Sequence, residues 1–287
     1  MTKNLLLALV ITGLITSPVL ALPPVAPIGT VVDEYYGTKV NDPYRALENQ
    51  ESDEVQRWMR GQANWARRTL DAIPGRNRML ERIIELENSS AASVYNVQRV
   101  LSDRYCYYRR DPGDDAYRLC VRDGLEGEEK ILVDPAAWNT RTGKPHAINY
   151  YQASPDGRSV AYGISAGGTE AAVMYVIDVE TGEQVSGPID RTQYGYPVWL
   201  PGRDAFTYIR LQKLGDDADP LDKYKNAQAH LHRIGRSADE DQVIFGHTVT
   251  KGLEIPNIAF PLVFVSPASE HAFAMVTMGV TVPPWDS

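Results

Sequence analysis

A spaced series of Pro-containing turns, each followed by an apolar run, constrains the fold more than any other feature of this sequence. The turns begin at Pro155, Pro201 and Pro267, at intervals of 46 and 66 residues, with the extra length in the polar stretch 212–230. The runs that follow are Val160-Ala161-Tyr162, Ala205-Phe206-Thr207-Tyr208 and Ala272-Phe273-Ala274-Met275-Val276. A period of roughly 40 to 50 residues built from short strands and turns is typical of propeller blades. The sequence therefore predicts a mainly β fold, a partial β-propeller of about three to four blades.

The first 21 residues have the pattern of a secretory signal peptide. Lys3 precedes an apolar run over residues 5–15, and the small-residue segment Ser17-Pro18-Val19-Leu20-Ala21 follows. A membrane span would need about 20 apolar residues. We therefore expect cleavage after Ala21 and a periplasmic or secreted protein with no membrane association after cleavage. An uncleaved N-terminal anchor is the alternative that the pattern leaves open.

Composition and charge narrow the classes of function for the mature chain. The full 287 residues, 43% of them hydrophobic, fit a folded protein with one large domain or two ordinary ones. Without the leader, 28 basic and 37 acidic residues give a net charge of −9. No basic stripe that would neutralise phosphates is visible, so nucleic acid is not an expected partner.

Two helices are predicted ahead of the β region. The apolar residues between positions 52 and 72 fall near one helical face: Val55, Trp58, Met59, Ala66 and Leu70. Pro74-Gly75 interrupts this pattern, and a second helix is predicted from about Met79 to residue 88. The mature chain is therefore divided into an α-helical N-terminal arm, residues 22–90, and an incomplete propeller, residues 91–287.

The two cysteines, Cys106 and Cys120, flank a turn-rich segment. If residues 104–110 and 116–122 form a hairpin centred on Gly113, the cysteines lie directly opposite each other, within disulfide distance. In an oxidising compartment this bridge would close a loop of roughly 15 residues and contribute about 3 kcal/mol in the chain-entropy model. Two reduced thiols packed in a sheet are the alternative. Neither interpretation makes the cysteines catalytic.

An ordered series of short motifs resembles the prolyl oligopeptidase family of serine peptidases. Asp42-Pro43-Tyr44-Arg45-Ala46-Leu47-Glu48-Asn49 is similar to the DPYRWLE(D/N) signature near the start of that family. Further motifs follow in the family's order: Tyr107-Tyr108-Arg109-Arg110, Ser154-Pro155-Asp156-Gly157, Ala161-Tyr162-Gly163-Ile164-Ser165 and Trp199-Leu200-Pro201. The resemblance covers nearly all of residues 27–278.

This resemblance implies an architecture and an activity. In the family, a seven-bladed propeller caps an α/β-hydrolase domain, to which the N-terminal helices also belong, and short peptides are cleaved after proline. The catalytic Ser, Asp and His lie in a long C-terminal portion that is missing from this sequence. The resemblance therefore implies no catalytic residue and no cofactor in this chain. It implies two partners, the missing C-terminal α/β-hydrolase domain and proline-containing peptides.

Two aromatic residues are implied as substrate contacts by the same resemblance. Tyr194, five residues before Trp199, and Phe260, in the segment leading to Ser266-Pro267, match by spacing the positions where family members place apolar propeller side chains near the proline pocket. Aromatic faces suit a proline ring because they supply flat apolar area at small entropic cost. The alternative is that both residues belong to the blade core.

One segment matches the nucleophile-elbow motif of serine hydrolases but is predicted to form a hairpin. Gly163-Ile164-Ser165-Ala166-Gly167 satisfies G-x-S-x-G, but a nucleophile elbow must run from a strand into a helix. Here the strand leads through two glycines into the apolar, β-branched run at residues 172–177. Ser165 is therefore not predicted to be a nucleophile, and no motif marks any of the five histidines as a triad base.

Two polar clusters are interpreted as ordinary structure, so no metal is expected. His230 and His232 would share one face of a strand, but no third ligand accompanies them at a recognisable spacing. An acidic group in the long loop does not match the D-x-D-x-D-G calcium pattern: Asp216, Asp217, Asp219 and Asp222.

Three functional hypotheses follow. The first is the N-terminal propeller portion of a secreted prolyl oligopeptidase-like serine endopeptidase, truncated before its catalytic domain and inactive alone. The second is a stand-alone propeller-type module that binds peptides or proteins, and the third is an enzyme that uses Ser165. A binding module is expected to finish its last blade and close the ring. Because the sequence after Met278 stops where the next strands of that blade are expected, the first hypothesis is favoured.

Overall fold

The computed structural model describes residues 22–89, 91–216, 218–266 and 271–278, so the predicted leader lies outside the described residues. The chain divides into two compact units between Leu86 and Glu87. In the described part of the chain, no helix has both the length and the apolar character that a membrane span requires.

The first unit contains a β-hairpin, one complete helix and most of a second helix. Strands β1 (Val31–Tyr35) and β2 (Thr38–Asp42) pair antiparallel, and a short 3-10 turn follows at Arg45–Glu48. Helix α1 spans Asp53–Asp71 and helix α2 spans Arg76–Ser89, close to the predicted positions.

Helix α1 begins where its sequence favours a helix start. Ser52 occupies the N-cap position in an extended conformation, and Asp53 and Glu54 in the first turn interact favourably with the helix dipole. The Pro-rich lead packs along this helix, because Trp58 Nε1 and Gln62 Nε2 both donate to the Pro24 carbonyl, at 3.2 and 2.6 Å. Most other apolar side chains of the two helices remain exposed.

The second unit begins with sheet A, a four-stranded antiparallel sheet. Its strands lie in chain order: β3 (Ser93–Arg99), β4 (Arg104–Arg110), β5 (Arg118–Asp123) and β6 (Lys130–Val133). Helix α3 (Pro135–Thr142) follows, capped by the Asp134 side chain, which accepts the Ala136 N–H at 2.9 Å.

The predicted opposition of Cys106 and Cys120 is wrong by one residue. Cys106 pairs with Val121, and Cys120 pairs with Tyr107, so the two side chains lie on opposite faces of sheet A. The loop between the last pair, Arg109 and Arg118, contains eight residues, an even number. Its midpoint therefore falls after Gly113 rather than on it. Both thiols are free and buried.

Sheet B repeats the four-stranded arrangement. It contains β7 (His146–Ala153), β8 (Ser159–Ala166), β9 (Val173–Asp178) and β10 (Gln184–Ile189), again in chain order. The tight turn between β7 and β8 is built by Ser154, whose Oγ donates to Asp156 at 2.7 Å and accepts the Ser159 N–H at 3.0 Å. This is the first turn of the sequence repeat.

Sheet C is the third four-stranded sheet. It contains β11 (Val198–Trp199), β12 (Ala205–Arg210), β13 (Gln228–Arg233) and β14 (Gln242–Gly246). The turn at Pro201 separates β11 from β12, as the repeat predicts, and the additional length of this unit lies between β12 and β13.

Hairpin D completes the described structure. Strand β15 (Ala259–Val265) pairs with β16 (Ala272–Met278) in a regular antiparallel register of seven residue pairs. The third predicted turn, at Pro267, lies outside the described residues, but the strand predicted after it is present as β16.

The sheets pack face to face in chain order, and a side chain crosses each interface to a backbone carbonyl. Tyr151 Oη of sheet B donates to Cys106 O of sheet A at 2.9 Å. Trp199 Nε1 of sheet C donates to Gln152 O of sheet B at 3.0 Å. Thr207 Oγ1 of sheet C donates to Val263 O of hairpin D at 2.8 Å. The main apolar clusters lie between neighbouring sheets, which confirms a mainly β fold built from stacked units.

Candidate functional site

Tyr194 and Phe260, the two predicted contact residues, lie side by side. Their ring centroids are 5.2 Å apart at an interplanar angle of 80°, an edge-to-face arrangement. Tyr194 is in the loop between β10 and β11, and Phe260 is in β15, so 66 residues separate them in sequence. The fold therefore joins two residues that the sequence connects only through a resemblance.

The two rings border an apolar pocket of about 160 Å³. Its lining side chains are all uncharged: Tyr194, Tyr196, Ile209, Phe260, Leu262 and Thr277. Ligand pockets in proteins usually measure roughly 300 to 1,000 Å³. This pocket therefore has room for about one ring or aliphatic side chain and suits part of a larger ligand.

The loop that carries Tyr194 is held in place from both sides. Tyr150 Oη of sheet B donates to Thr192 O at 2.7 Å, and the Ile209 N–H of sheet C donates to Gly195 O at 2.8 Å. A Cβ at Gly195 would lie 2.4 Å from Tyr150 Oη, so only glycine permits this close approach. The aromatic side chains of the loop are therefore presented by a fixed backbone.

Burial keeps the Tyr194 phenol neutral. Burial, with a smaller contribution from Tyr224, raises the pKa of Tyr194 above its usual value. Gln193 Nε2 donates to Tyr194 Oη at 3.1 Å and to Glu170 at 3.2 Å. A neutral phenol among apolar side chains offers surface and a hydrogen bond. It is suited to binding rather than to acid–base chemistry.

Ser165 is placed in a hairpin, as predicted. It lies near the end of β8, which pairs with β9 rather than leading into a helix. The side chain is buried, and its Oγ donates to the Thr169 carbonyl at 2.6 Å across the turn. The hydroxyl therefore stabilises the turn.

A hydrogen-bonded Ser-His-Asp group that the sequence did not indicate lies between sheets B and C. His232 Nε2 is 2.9 Å from Ser186 Oγ, and His232 Nδ1 is 2.9 Å from Asp241 Oδ1. Tyr208 Oη also donates to Asp241 Oδ2 at 2.7 Å. These contacts have the connectivity of a serine-hydrolase triad.

Burial and hydrogen bonding make this group structural. The His232 side chain is 0% exposed and that of Asp241 is 2% exposed. Ser186 is also buried, and its Oγ accepts the Gly235 N–H at 2.9 Å, so this N–H is directed at the hydroxyl itself and not at an oxyanion. No sequence motif could reveal the group, because Ser186 and His232 lie on strands of different sheets.

The two histidines that the sequence places on one strand face lie in β13. His230 and His232 do share one face of β13, where they pair with Tyr208 and Phe206 of β12. Burial lowers the pKa of His230 to about 4, with a further contribution from Arg210. Within residues 22–89, 91–216, 218–266 and 271–278, no cluster of potential ligands has the geometry of a metal site.

The acidic loop is engaged in local contacts. Asp219 Oδ1 accepts the Leu221 N–H at 2.8 Å, and Asp222 forms an ion pair with Lys225 at 2.5 Å. Asp216 is exposed, and Asp217 lies outside the described residues.

A protein-family model matches most of the chain. The model describes the N-terminal β-propeller domain of prolyl oligopeptidase, and it matches residues 23–252.

Curated relatives match over a similar region. The prolyl endopeptidase of Elizabethkingia meningoseptica is 24% identical over 218 residues, covering 75% of this chain and 29% of the relative. Prolyl oligopeptidase A of Galerina marginata is 28% identical over 236 residues, covering 72% of this chain and 31% of the relative. The chain thus spans less than a third of the length of these relatives.

Solved structures agree with the family match. A prolyl endopeptidase, studied for the role of inter-domain dynamics in catalysis and specificity, is 28% identical with a TM-score of 0.77, covering 89% of this chain and 36% of that one. Prolyl oligopeptidase B from Galerina marginata, bound to a 35-residue hydrolysis and macrocyclization substrate, is 17% identical with a TM-score of 0.70 and supports the fold. It covers 88% of this chain and 37% of that one.

Proposed function

The chain belongs to the prolyl oligopeptidase family through its N-terminal β-propeller domain, and from that premise we propose that it acts as the propeller portion of a prolyl oligopeptidase-like serine endopeptidase. In this role the chain supplies apolar contacts to proline-containing peptides. Peptide-bond hydrolysis is assigned to an α/β-hydrolase domain, and this propeller portion alone is inactive. Residues 1–21 direct export, with cleavage after Ala21.

The contact between Tyr194 and Phe260 is the observation that carries this proposal. The two rings meet edge to face beside an uncharged pocket with room for one ring. Tyr194 lies on a loop fixed by Gly195 and Tyr150, and Phe260 lies in β15. Apolar burial and ring contacts favour a proline ring or a neighbouring aliphatic side chain. The pocket's small volume fits a shared site, in which the hydrolase domain encloses the rest of the peptide.

The exposed apolar face of helix α2 supports a hydrolase partner. Five large apolar residues of this helix are between 44% and 67% exposed: Met79, Leu80, Ile83, Ile84 and Leu86. Contiguous exposed apolar area of this kind marks interaction surfaces. Full burial of a side chain of this size contributes roughly 1.5 to 3 kcal/mol, and because these side chains are already about half buried, each would gain about half of that. We assign the face to the hydrolase domain of the same family.

Reconstitution tests the catalytic part of the proposal. The purified chain is mixed with the C-terminal portion of the Elizabethkingia meningoseptica prolyl endopeptidase, and hydrolysis of a chromogenic proline substrate is followed. We expect no turnover by the chain alone and an increase in turnover by the C-terminal portion when the chain is present. Turnover by the chain alone would contradict the proposal.

Variants of the aromatic pair test the binding part. In the reconstituted sample, Tyr194→Ala or Phe260→Ala should raise KM about tenfold, which corresponds to about 1.4 kcal/mol, with little change in kcat. Tyr194→Phe retains the ring and should behave as the wild type, and Tyr35→Ala, an exposed tyrosine in β1 that does not line the pocket, serves as a control. If all four variants have the KM of the wild type, the aromatic pair does not contact the substrate.

A further inference from the structure

The Tyr194–Phe260 pocket has two walls that come from different parts of the fold. The loop between β10 and β11 contributes Tyr194 and Tyr196. The other lining side chains come from β12, β15 and β16: Ile209, Phe260, Leu262 and Thr277. The width of the pocket therefore depends on how the loop is held relative to those strands.

One side chain of sheet B fills the space between this loop and β8. Tyr150, in β7, lies against Gly163 in β8 and Gly195 in the loop. A Cβ at Gly163 would be 2.3 Å from Tyr150 Cζ, and a Cβ at Gly195 would be 2.4 Å from Tyr150 Oη. Both distances are well inside van der Waals contact, so a larger residue at either position would displace the ring. Gly163 is also the first glycine of the segment that matches the nucleophile-elbow motif, and the Tyr150 ring accounts for it.

The Tyr150 hydroxyl also fixes the turn that contains Tyr194. It donates to Thr192 O at 2.7 Å, and the Gly195 N–H donates to the same carbonyl at 3.0 Å. Burial raises the pKa of the Tyr150 phenol, so the hydroxyl keeps its proton and remains a donor. Because Tyr194 lies between Thr192 and Gly195 in sequence, this carbonyl links sheet B to one wall of the pocket.

We propose that Tyr150 is a positioning residue for peptide binding: its ring and hydroxyl set the place of Tyr194 relative to Phe260 and thereby fix the width of the pocket. This role rests on the proposed function, because the pocket must receive an apolar part of a proline-containing peptide. Tyr150 does not line the pocket itself. Its effect on binding comes from preorganisation of the loop and not from contact with the peptide.

The adjacent residue, Tyr151, is a matched control. Neighbouring residues of a strand point to opposite faces, and Tyr151 packs between sheets A and B, where its Oη donates to Cys106 O at 2.9 Å. Both tyrosines thus donate a hydrogen bond to a backbone carbonyl outside their own sheet strands. Substitution by Phe keeps the ring and removes the donor at either position. A purely structural role for these hydroxyls would therefore affect the two variants alike.

Kinetics of the reconstituted sample separate positioning from stability. In Tyr150→Phe the KM should rise about fivefold, the scale of one hydrogen bond, with little change in kcat. Tyr151→Phe should have the KM of the wild type. Tyr150→Phe combined with Tyr194→Ala should have the KM of Tyr194→Ala alone, because no ring is then left to position.

The same series distinguishes failure of this role from failure of the proposed function. An unchanged KM in Tyr194→Ala would overturn the proposed peptide contact and the positioning role together. A raised KM in Tyr194→Ala with an unchanged KM in Tyr150→Phe would overturn the positioning role alone. Equal KM changes in Tyr150→Phe and Tyr151→Phe would also overturn it.

Hydrogen exchange of the purified chain tests the loop without a substrate or a hydrolase portion. The Gly195 N–H donates to Thr192 O and the Ile209 N–H donates to Gly195 O, so both amides report on the loop. Tyr150→Phe should speed their exchange about fivefold, whereas Tyr151→Phe should leave it unchanged. Wild-type exchange rates in Tyr150→Phe, or equal acceleration in both variants, would overturn the positioning role.

Discussion

His232 Nε2 lies 2.9 Å from Ser186 Oγ, and this contact joins sheet C to sheet B. Asp241 completes a chain of hydrogen bonds with triad connectivity, yet none of the three side chains is accessible to a substrate. Triad connectivity is therefore insufficient evidence for catalysis in this fold. A buried polar group of this kind is stable only when every member is paired, which makes it a specific connection between sheets.

Removal of the Ser186 hydroxyl should destabilise the fold. Ser186→Ala leaves His232 Nε2 and the Gly235 N–H without their partner, and unpaired buried groups cost about 1 to 3 kcal/mol. We expect the free energy of unfolding, measured by urea denaturation, to fall by about that amount. Ser165→Ala removes a single bond at a hairpin turn and should have a smaller effect. A larger effect at Ser165 would contradict this ranking.

Serine-directed phosphonates should not label the chain. Ser165 Oγ donates a hydrogen bond to Thr169 O, and Ser186 is enclosed between two sheets. Neither serine therefore presents an activated oxygen to solvent. Intact-mass analysis after incubation should show an unmodified protein, with a full-length prolyl endopeptidase as the positive control. Stoichiometric labelling at either serine would show that the chain has its own nucleophile.

Both cysteines should remain reduced and slow to react in the native state. Burial raises the pKa of Cys106 to about 11 and that of Cys120 to about 12, so little thiolate forms near neutral pH. Alkylation without a denaturant should therefore be slow, and alkylation in urea should modify both thiols. A tryptic peptide that links Cys106 to Cys120 would show that the register of β4 and β5 differs from the one described.

Local patterns made much of the fold predictable. The Pro-rich turns and the apolar runs after them identify β8, β12 and β16, and the helical period identifies α1 and α2. These features depend on residues close together in sequence, where turn chemistry and amphipathic period act directly. The predicted hairpin register at Cys106 was wrong because it depended on whether the loop has an even or an odd number of residues. Composition does not determine that number.

The site was predictable only in part. Spacing within a family pattern selected Tyr194 and Phe260, but it did not show that their rings touch or that Gly195 fixes the loop. The Ser186–His232 connection was missed because it joins strands of different sheets through side chains that carry no motif. Contacts between sheets depend on three-dimensional packing, and a single sequence does not record them.

The stability of the fold should fall between pH 6.5 and pH 4 partly because of His230. Burial lowers the pKa of this side chain from 6.5 to about 4. Over this range the unfolded chain therefore binds a proton at His230 that the folded chain does not bind. Because stability rises with pH wherever the unfolded state binds more protons, His230 favours folding at neutral pH and progressively loses that contribution on acidification.

Comparison of His230→Gln with the wild type isolates this contribution. One such proton changes the free energy of unfolding by at most about 1.4 kcal/mol per pH unit. The partial exposure of the ring reduces that slope. Urea denaturation at pH 7, 6, 5 and 4 should therefore give a shallower loss of stability in His230→Gln than in the wild type. Parallel curves for the two proteins would show that His230 titrates alike in the folded and unfolded chains.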